Sequence, residues 1–66
     1  MPVINVQMLS GRTPEQKAAL IRELAEGAVR ALGVSEQSIR VLLTEVEPAH
    51  WGVGTLSKAG QGETTR

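Results

Sequence analysis

A chain of 66 residues has room for one domain but too little interior to bury a self-sufficient core, so it needs a crosslink, a metal or a partner. With no cysteine and a single histidine, disulfides, thiolate sites and a typical zinc site are removed, and assembly with other chains is the remedy left. Seven basic residues cancel seven acidic ones, so no basic surface is set up for nucleic acid; no signal-peptide pattern or membrane-length apolar run is present, and a soluble cytoplasmic protein is expected.

From Val3 to Leu9 the residues alternate, with Ile4, Val6 and Met8 on one face and Asn5 and Gln7 on the other, which predicts a strand. Ser10-Gly11-Arg12 reads as a turn. Thr13-Pro14-Glu15-Gln16 is then a helix start: Thr13 suits the N-cap, Pro14 the first helical position, and Gln16 stands where it completes a capping box. Leu20, Ile21, Leu24, Ala25, Ala28, Val29 and Leu32 recur at helical spacing, so the helix should run from about Pro14 to Leu32 and stop at Gly33. Glu15, Lys17, Arg22, Glu23, Glu26 and Arg30 fall mainly outside that stripe and read as a solvated face. Gly27 weakens the helix by roughly 1 kcal/mol relative to alanine, unless a close neighbour needs the room.

Ser35 to Ser38 form a connection and Ile39 to Val46 a second strand. Ile39, Val41 and Leu43 give it one wholly apolar face; Arg40, Leu42, Thr44 and Val46 give it a mixed one. Pro48 ends the strand. Gly52 and Gly54 punctuate a segment with room for a short hairpin, and a small polar tail, 57–66, is expected to fray from Ser57. Trp51 is the one aromatic residue, so the core is aliphatic.

Strand, long helix, strand is a β-α-β unit of the α/β (α+β) class, with parallel strands and a right-handed crossover. One helix covers one face of a sheet, and two strands alone are not stable in water. The other face carries Leu42 and Val46, or Ile4 and Val6, depending on orientation. Neighbouring chains must cover it, so an oligomer is expected.

Among the residues able to carry chemistry, Pro2 is the most informative. Aminopeptidases commonly remove an initiator methionine that precedes a small residue, and this would leave a secondary amine at the start of a strand. An ordinary α-amine has a pKa of roughly 7.7–8.0, and proline's is intrinsically higher. Burial among aliphatic side chains and nearby guanidinium groups both disfavour the ammonium form, and a neutral amine can take a proton and return it elsewhere. The alternative is a proline that only opens an edge strand.

Arg40 interrupts an aliphatic strand, where a charge is costly unless satisfied. It reads either as a fork for a substrate carboxylate or as an ion pair with Glu45 or Glu47, or as a side chain stretching to solvent. Arg12 alone reads as a solvated turn residue. Pro2 lies at the start of the first strand and Arg12 beyond its end, and seven residues at about 3.3 Å each hold the two strand ends roughly 23 Å apart, so Arg12 can reach a Pro2 only in another chain, for example where first strands pair antiparallel about a two-fold axis. Trp51 is either a packing anchor between subunits or an apolar pocket wall. Ser38 either donates a hydrogen bond to substrate or simply opens the second strand. His50 reads as a surface or hydrogen-bonded histidine, and Gly52-Val53-Gly54 lacks the strand–helix context of a phosphate loop.

Pro2, Leu9-Ser10-Gly11-Arg12, Glu15-Gln16-Lys17, Leu20-Ile21-Arg22-Glu23, Ser38-Ile39-Arg40-Val41, Thr44-Glu45 and His50-Trp51-Gly52-Val53-Gly54 together make the chain resemble the 4-oxalocrotonate tautomerase (2-hydroxymuconate tautomerase) family of the tautomerase superfamily, from Pro2 to about Gly54. The resemblance implies a cofactor-free keto–enol isomerase of aromatic catabolism, a β-α-β subunit, and a hexamer arranged as a trimer of dimers. It implies Pro2 as the base, with Arg12 and Arg40 binding carboxylates and stabilising charge. It further implies a backbone contact at Leu9, a supporting role for Ser38 and an aromatic pocket wall at Trp51, on a small dicarboxylate or 2-oxo acid substrate. Two positions depart from the best-known members: Trp51 stands where they carry phenylalanine, and Ser10 where an acidic residue is common. No carboxylate lies between Trp51 and Lys58 to activate water, which counts against the hydrolytic dehalogenation found elsewhere in the superfamily. The competing expectation is a non-catalytic or partner-dependent subunit of a hetero-oligomer; a third is a Schiff-base enzyme in which Pro2 attacks a carbonyl.

Overall fold

The computed structural model describes residues 1–60. Strand β1 spans Val3–Leu9, helix α1 spans Pro14–Leu32, strand β2 spans Arg40–Val46, and a short hairpin joins β3, Gly52–Val53, to β4, Leu56–Ser57. Three-residue 3₁₀ turns, Glu36–Ser38 and Pro48–His50, precede and follow β2. β1 and β2 pair in parallel, from Val3 opposite Arg40 to Leu9 opposite Val46, and β3 and β4 pair antiparallel. This is the expected β-α-β unit with a hairpin after it. β2 begins one residue later than expected, because Ile39 still closes the turn before it through its N–H on the Glu36 carbonyl, 3.2 Å.

Local chemistry sets the helix. The Thr13 hydroxyl accepts from the Gln16 N–H and the Gln16 side chain accepts from the Thr13 N–H, both at 3.1 Å, which satisfies two amide groups the helix leaves open. Gly33 ends it in the left-handed conformation, φ 69°, with its N–H on the Val29 carbonyl. α1 then lies over one face of the sheet. Ile4, Val6, Met8, Val41 and Leu43 are half-buried and share that face, and Glu45 at its far end takes an ion pair from Lys17 in the helix, 3.1 Å. The open question of orientation is thereby answered: Leu42 and Val46 lie on the uncovered face, with Val3, Asn5, Gln7, Leu9, Arg40 and Thr44.

Little is buried within one chain. Among the described residues only Ile39 is buried, at 8% exposure, while Val3, Leu42, Leu32, Val53 and Leu56 are each more than half exposed. Ile21 and Leu32, both on the apolar stripe of α1, are exposed as well. Of the tail expected from Ser57, Ser57 itself closes β4, and 61–66 lie outside the described residues. No helix among the described residues is long and apolar enough to cross a membrane.

Candidate active site

The parallel register brings the two strand starts together. The Arg40 N–H donates to the Pro2 carbonyl at 3.0 Å, and at the far end the Ser10 N–H donates to the Val46 carbonyl at 3.0 Å. Pro2 is half-buried and, one register step before Val3, stands opposite the buried Ile39. Apolar packing on one side and an arginine on the next residue are thus present where the chain starts.

The Arg40 guanidinium does not reach an acidic residue. Glu45 is engaged by Lys17, and among the described residues Arg40 has no carboxylate partner. Its Nη1 instead donates to the Gln37 carbonyl at 2.7 Å and to the Ile39 carbonyl at 3.3 Å. One nitrogen thus anchors the group, while Nη2 and Nε have no protein acceptor among the described residues. A planar donor edge remains free, which is the shape that matches a carboxylate. Of the readings left open by the sequence, the ion pair with Glu45 or Glu47 is not formed.

Arg12 is exposed, in the turn between β1 and the Thr13 cap. It too has neither ion pair nor hydrogen bond among the described residues. Gly11 beside it has φ 119°, a backbone state that a side chain would strain. All of β1 separates Arg12 from Pro2, so one chain does not bring these two together.

Those two end rungs also show which β1 amides the ladder uses. In a parallel pair alternate residues bond the neighbouring strand; here they are the even-numbered ones. The N–H and C=O groups of Val3, Asn5, Gln7 and Leu9 therefore point to the outer edge of β1. The Leu9 amide is left free by the chain's own pairing, a feature that register reveals and side-chain pattern does not.

Ser38 is half-buried and its hydroxyl donates to the Ser35 carbonyl at 2.8 Å. Trp51 is half-buried between the second 3₁₀ turn and the hairpin; its N–H bonds the Pro48 carbonyl at 3.2 Å and its carbonyl receives the Lys58 N–H at 2.7 Å. His50 is exposed. Among the described residues no pocket closes around these groups in one chain. Pro2, Ile39 and Arg40 are neighbours; Arg12 and Leu9 lie at the opposite end of the sheet.

Comparison with known proteins decides the family. The sequence model of the tautomerase enzyme family matches residues 2–60. The chain belongs to the tautomerase family. A probable tautomerase of Ralstonia nicotianae is 47% identical over 66 residues, all of this chain and 94% of the relative. The 2-hydroxymuconate tautomerase of Pseudomonas putida is 43% identical over 54 residues, 82% of this chain and 86% of that one. Among solved structures, a heterohexameric 4-oxalocrotonate tautomerase of Chloroflexus aurantiacus superposes with a TM-score of 0.85 at 42% identity, covering 89% of this chain and 95% of that chain. The fold and the sequence agree, and the chain is an isomerase of the keto–enol tautomerase class.

Proposed function

We propose that this tautomerase ketonises a 2-hydroxydienoate such as 2-hydroxymuconate to its 2-oxo isomer, with the amine of Pro2, freed by removal of Met1, as the base. The enol O–H gives up its proton to the Pro2 nitrogen, the oxygen becomes the 2-oxo group, and the same proton goes to a carbon further along the conjugated chain. Atoms and charge balance without a cofactor. Arg40 and Arg12 hold carboxylates and stabilise the charge that builds on oxygen in the transition state. Trp51 walls the pocket and excludes water, which favours the neutral amine. The Leu9 backbone borders the substrate, and Ser38 has a supporting role.

The observation that carries this reading is the rung between Arg40 and Pro2: an arginine with a free donor edge stands next to the residue whose nitrogen is the candidate base. The separation of Arg12 from Pro2 by β1 adds that the site is shared between chains. The open outer edge of β1 suits antiparallel pairing with the β1 of a second copy, which brings one chain's Arg12 toward the other's Pro2. Full coverage of the remaining apolar surface then calls for more than a dimer, and a homohexamer, a trimer of dimers, is the proposed assembly. The test is a 2-hydroxymuconate ketonisation assay on the purified chain with its intact mass measured.

The heterohexameric relative favours one alternative, a chain whose site is completed by a different subunit. Turnover by the purified chain alone supports the homo-oligomer; inactivity of a correctly processed, assembled sample supports the partner-dependent subunit.

A further inference from the structure

We infer that Ser38 is a positioning residue that acts through Arg40: its hydroxyl closes the Glu36–Ser38 turn whose carbonyls hold the Arg40 guanidinium. The inference rests on the reading of Arg40 as a carboxylate-binding group and names what aims it. The turn is only three residues long and is closed by few bonds. The Ser35 carbonyl receives both the Ser38 N–H, at 3.1 Å, and the Ser38 hydroxyl, at 2.8 Å; the remaining closure, from the Ile39 N–H to the Glu36 carbonyl, is longer at 3.2 Å. No side chain caps the start of the turn at Ser35. The Ser38 hydroxyl therefore supplies the shortest of the bonds that fix the orientation of the Gln37–Ser38 peptide.

That peptide carries the acceptor that matters. Its carbonyl, that of Gln37, takes the Arg40 Nη1 at 2.7 Å, and the carbonyl of Ile39 takes the same nitrogen at 3.3 Å. Rotation of the Gln37–Ser38 peptide would swing the shorter acceptor away and release an exposed arginine with several rotatable bonds. With the turn held, Nη1 is pinned beside the start of β2, and Nη2 and Nε keep one direction at the end of the sheet where Pro2 stands. The hydroxyl hydrogen is committed to Ser35, so Ser38 does not donate to substrate in this arrangement. Its influence passes along Ser38 Oγ, the Ser35 carbonyl, the Gln37 carbonyl and Arg40 Nη1.

A double-mutant cycle on the assembled enzyme tests this, with 2-hydroxymuconate as substrate. Ser38→Ala alone should lower kcat/KM by about three- to tenfold, the range of one lost hydrogen bond. Ser38→Thr, which keeps the hydroxyl, should restore most of it. In the Arg40→Ala background, Ser38→Ala should have no further effect, because the group it aims is gone. A Ser38→Ala loss of equal size in both backgrounds would overturn the inference, as it would show a direct contact with substrate or a general effect on the fold. No loss from Ser38→Ala while Arg40→Ala is slow would overturn it as well. Wild-type rates in Arg40→Ala would instead remove the carboxylate-binding reading of Arg40 itself, and the inference with it.

Discussion

An arginine among aliphatic strand residues costs stability if its charge is buried unpaired, but Arg40 is exposed and is held by two backbone carbonyls at one nitrogen. A carboxylate partner would neutralise the charge and occupy the donor edge; carbonyls do neither. Arg40→Ala should therefore leave the fold intact and reduce turnover of a dicarboxylate. A charge-assisted hydrogen bond contributes roughly 1.5–3 kcal/mol, which corresponds to about a ten- to hundredfold loss in kcat/KM. Arg12→Ala should do the same through the site of a neighbouring chain, and a monocarboxylate should depend strongly on only one of the two. Steady-state kinetics of both variants on both substrates checks this, and unchanged rates in both would leave the guanidinium roles without support. That Arg40 shares a face with Leu42, Thr44 and Val46 follows from alternation in the sequence. That it is anchored by Gln37 and Ile39 does not, because a three-residue turn has no period and backbone acceptors leave no mark in side-chain pattern.

At the scale of the elements, what could be read early was what is decided locally. Thr13, Pro14, Gln16 and Gly33 each act within one turn of the helix, and the helix begins and ends where they say. The capping box is open to measurement: Thr13→Ala should lower stability by roughly 1 kcal/mol in denaturant unfolding at fixed protein concentration. Gly27 is the one local rule broken inside α1. A Cβ at Gly27 would meet only the Arg30 guanidinium, at 3.8 Å, an ordinary contact with the end of a flexible side chain. Within one chain nothing requires glycine there, so Gly27→Ala should stabilise by up to about 1 kcal/mol. A destabilised variant would mean that another subunit packs against that face of the helix. The choice of sheet face covered by α1 was not legible, since both strands carry apolar residues on both faces. The Lys17–Glu45 pair and the alternation of burial along β1 and β2 decide it.

For the whole molecule, exposure is the governing fact. A chain that buries Ile39 and leaves Leu42, Val3, Leu32, Val53 and Leu56 more than half exposed does not bury enough apolar surface to offset the entropy of ordering it. Sedimentation at micromolar concentration should show an oligomer, with hexamer the expected species, and no stable folded monomer. Leu42→Asp, which puts a charge on the uncovered face, should shift the distribution to smaller, less stable species. A cooperatively folding monomer would remove the basis for a site shared between chains. The expectation of partners comes from length, the missing cysteines and the unmatched sheet face. Nothing in the chain's own pattern gives a number or arrangement of subunits, because an open apolar face does not record by which symmetry it would be covered.

The central claim is that the Pro2 nitrogen takes the proton, and it makes the activity conditional on a free amino terminus. A neutral amine is the active form, so kcat/KM should rise with pH through an ionisation below that of an ordinary proline amine and fall away as the amine is protonated at lower pH. Pro2→Ala keeps an amine but changes its shape and basicity; it should slow the reaction without necessarily abolishing it. The most direct measurement pairs intact mass with 2-hydroxymuconate ketonisation on two samples of the same assembled protein, one lacking Met1 and one retaining it. The sample that begins at Pro2 should be active. The sample that retains Met1 should be inactive, because an amide nitrogen cannot accept the proton. Full activity in a sample whose mass shows Met1 still attached would contradict the mechanism.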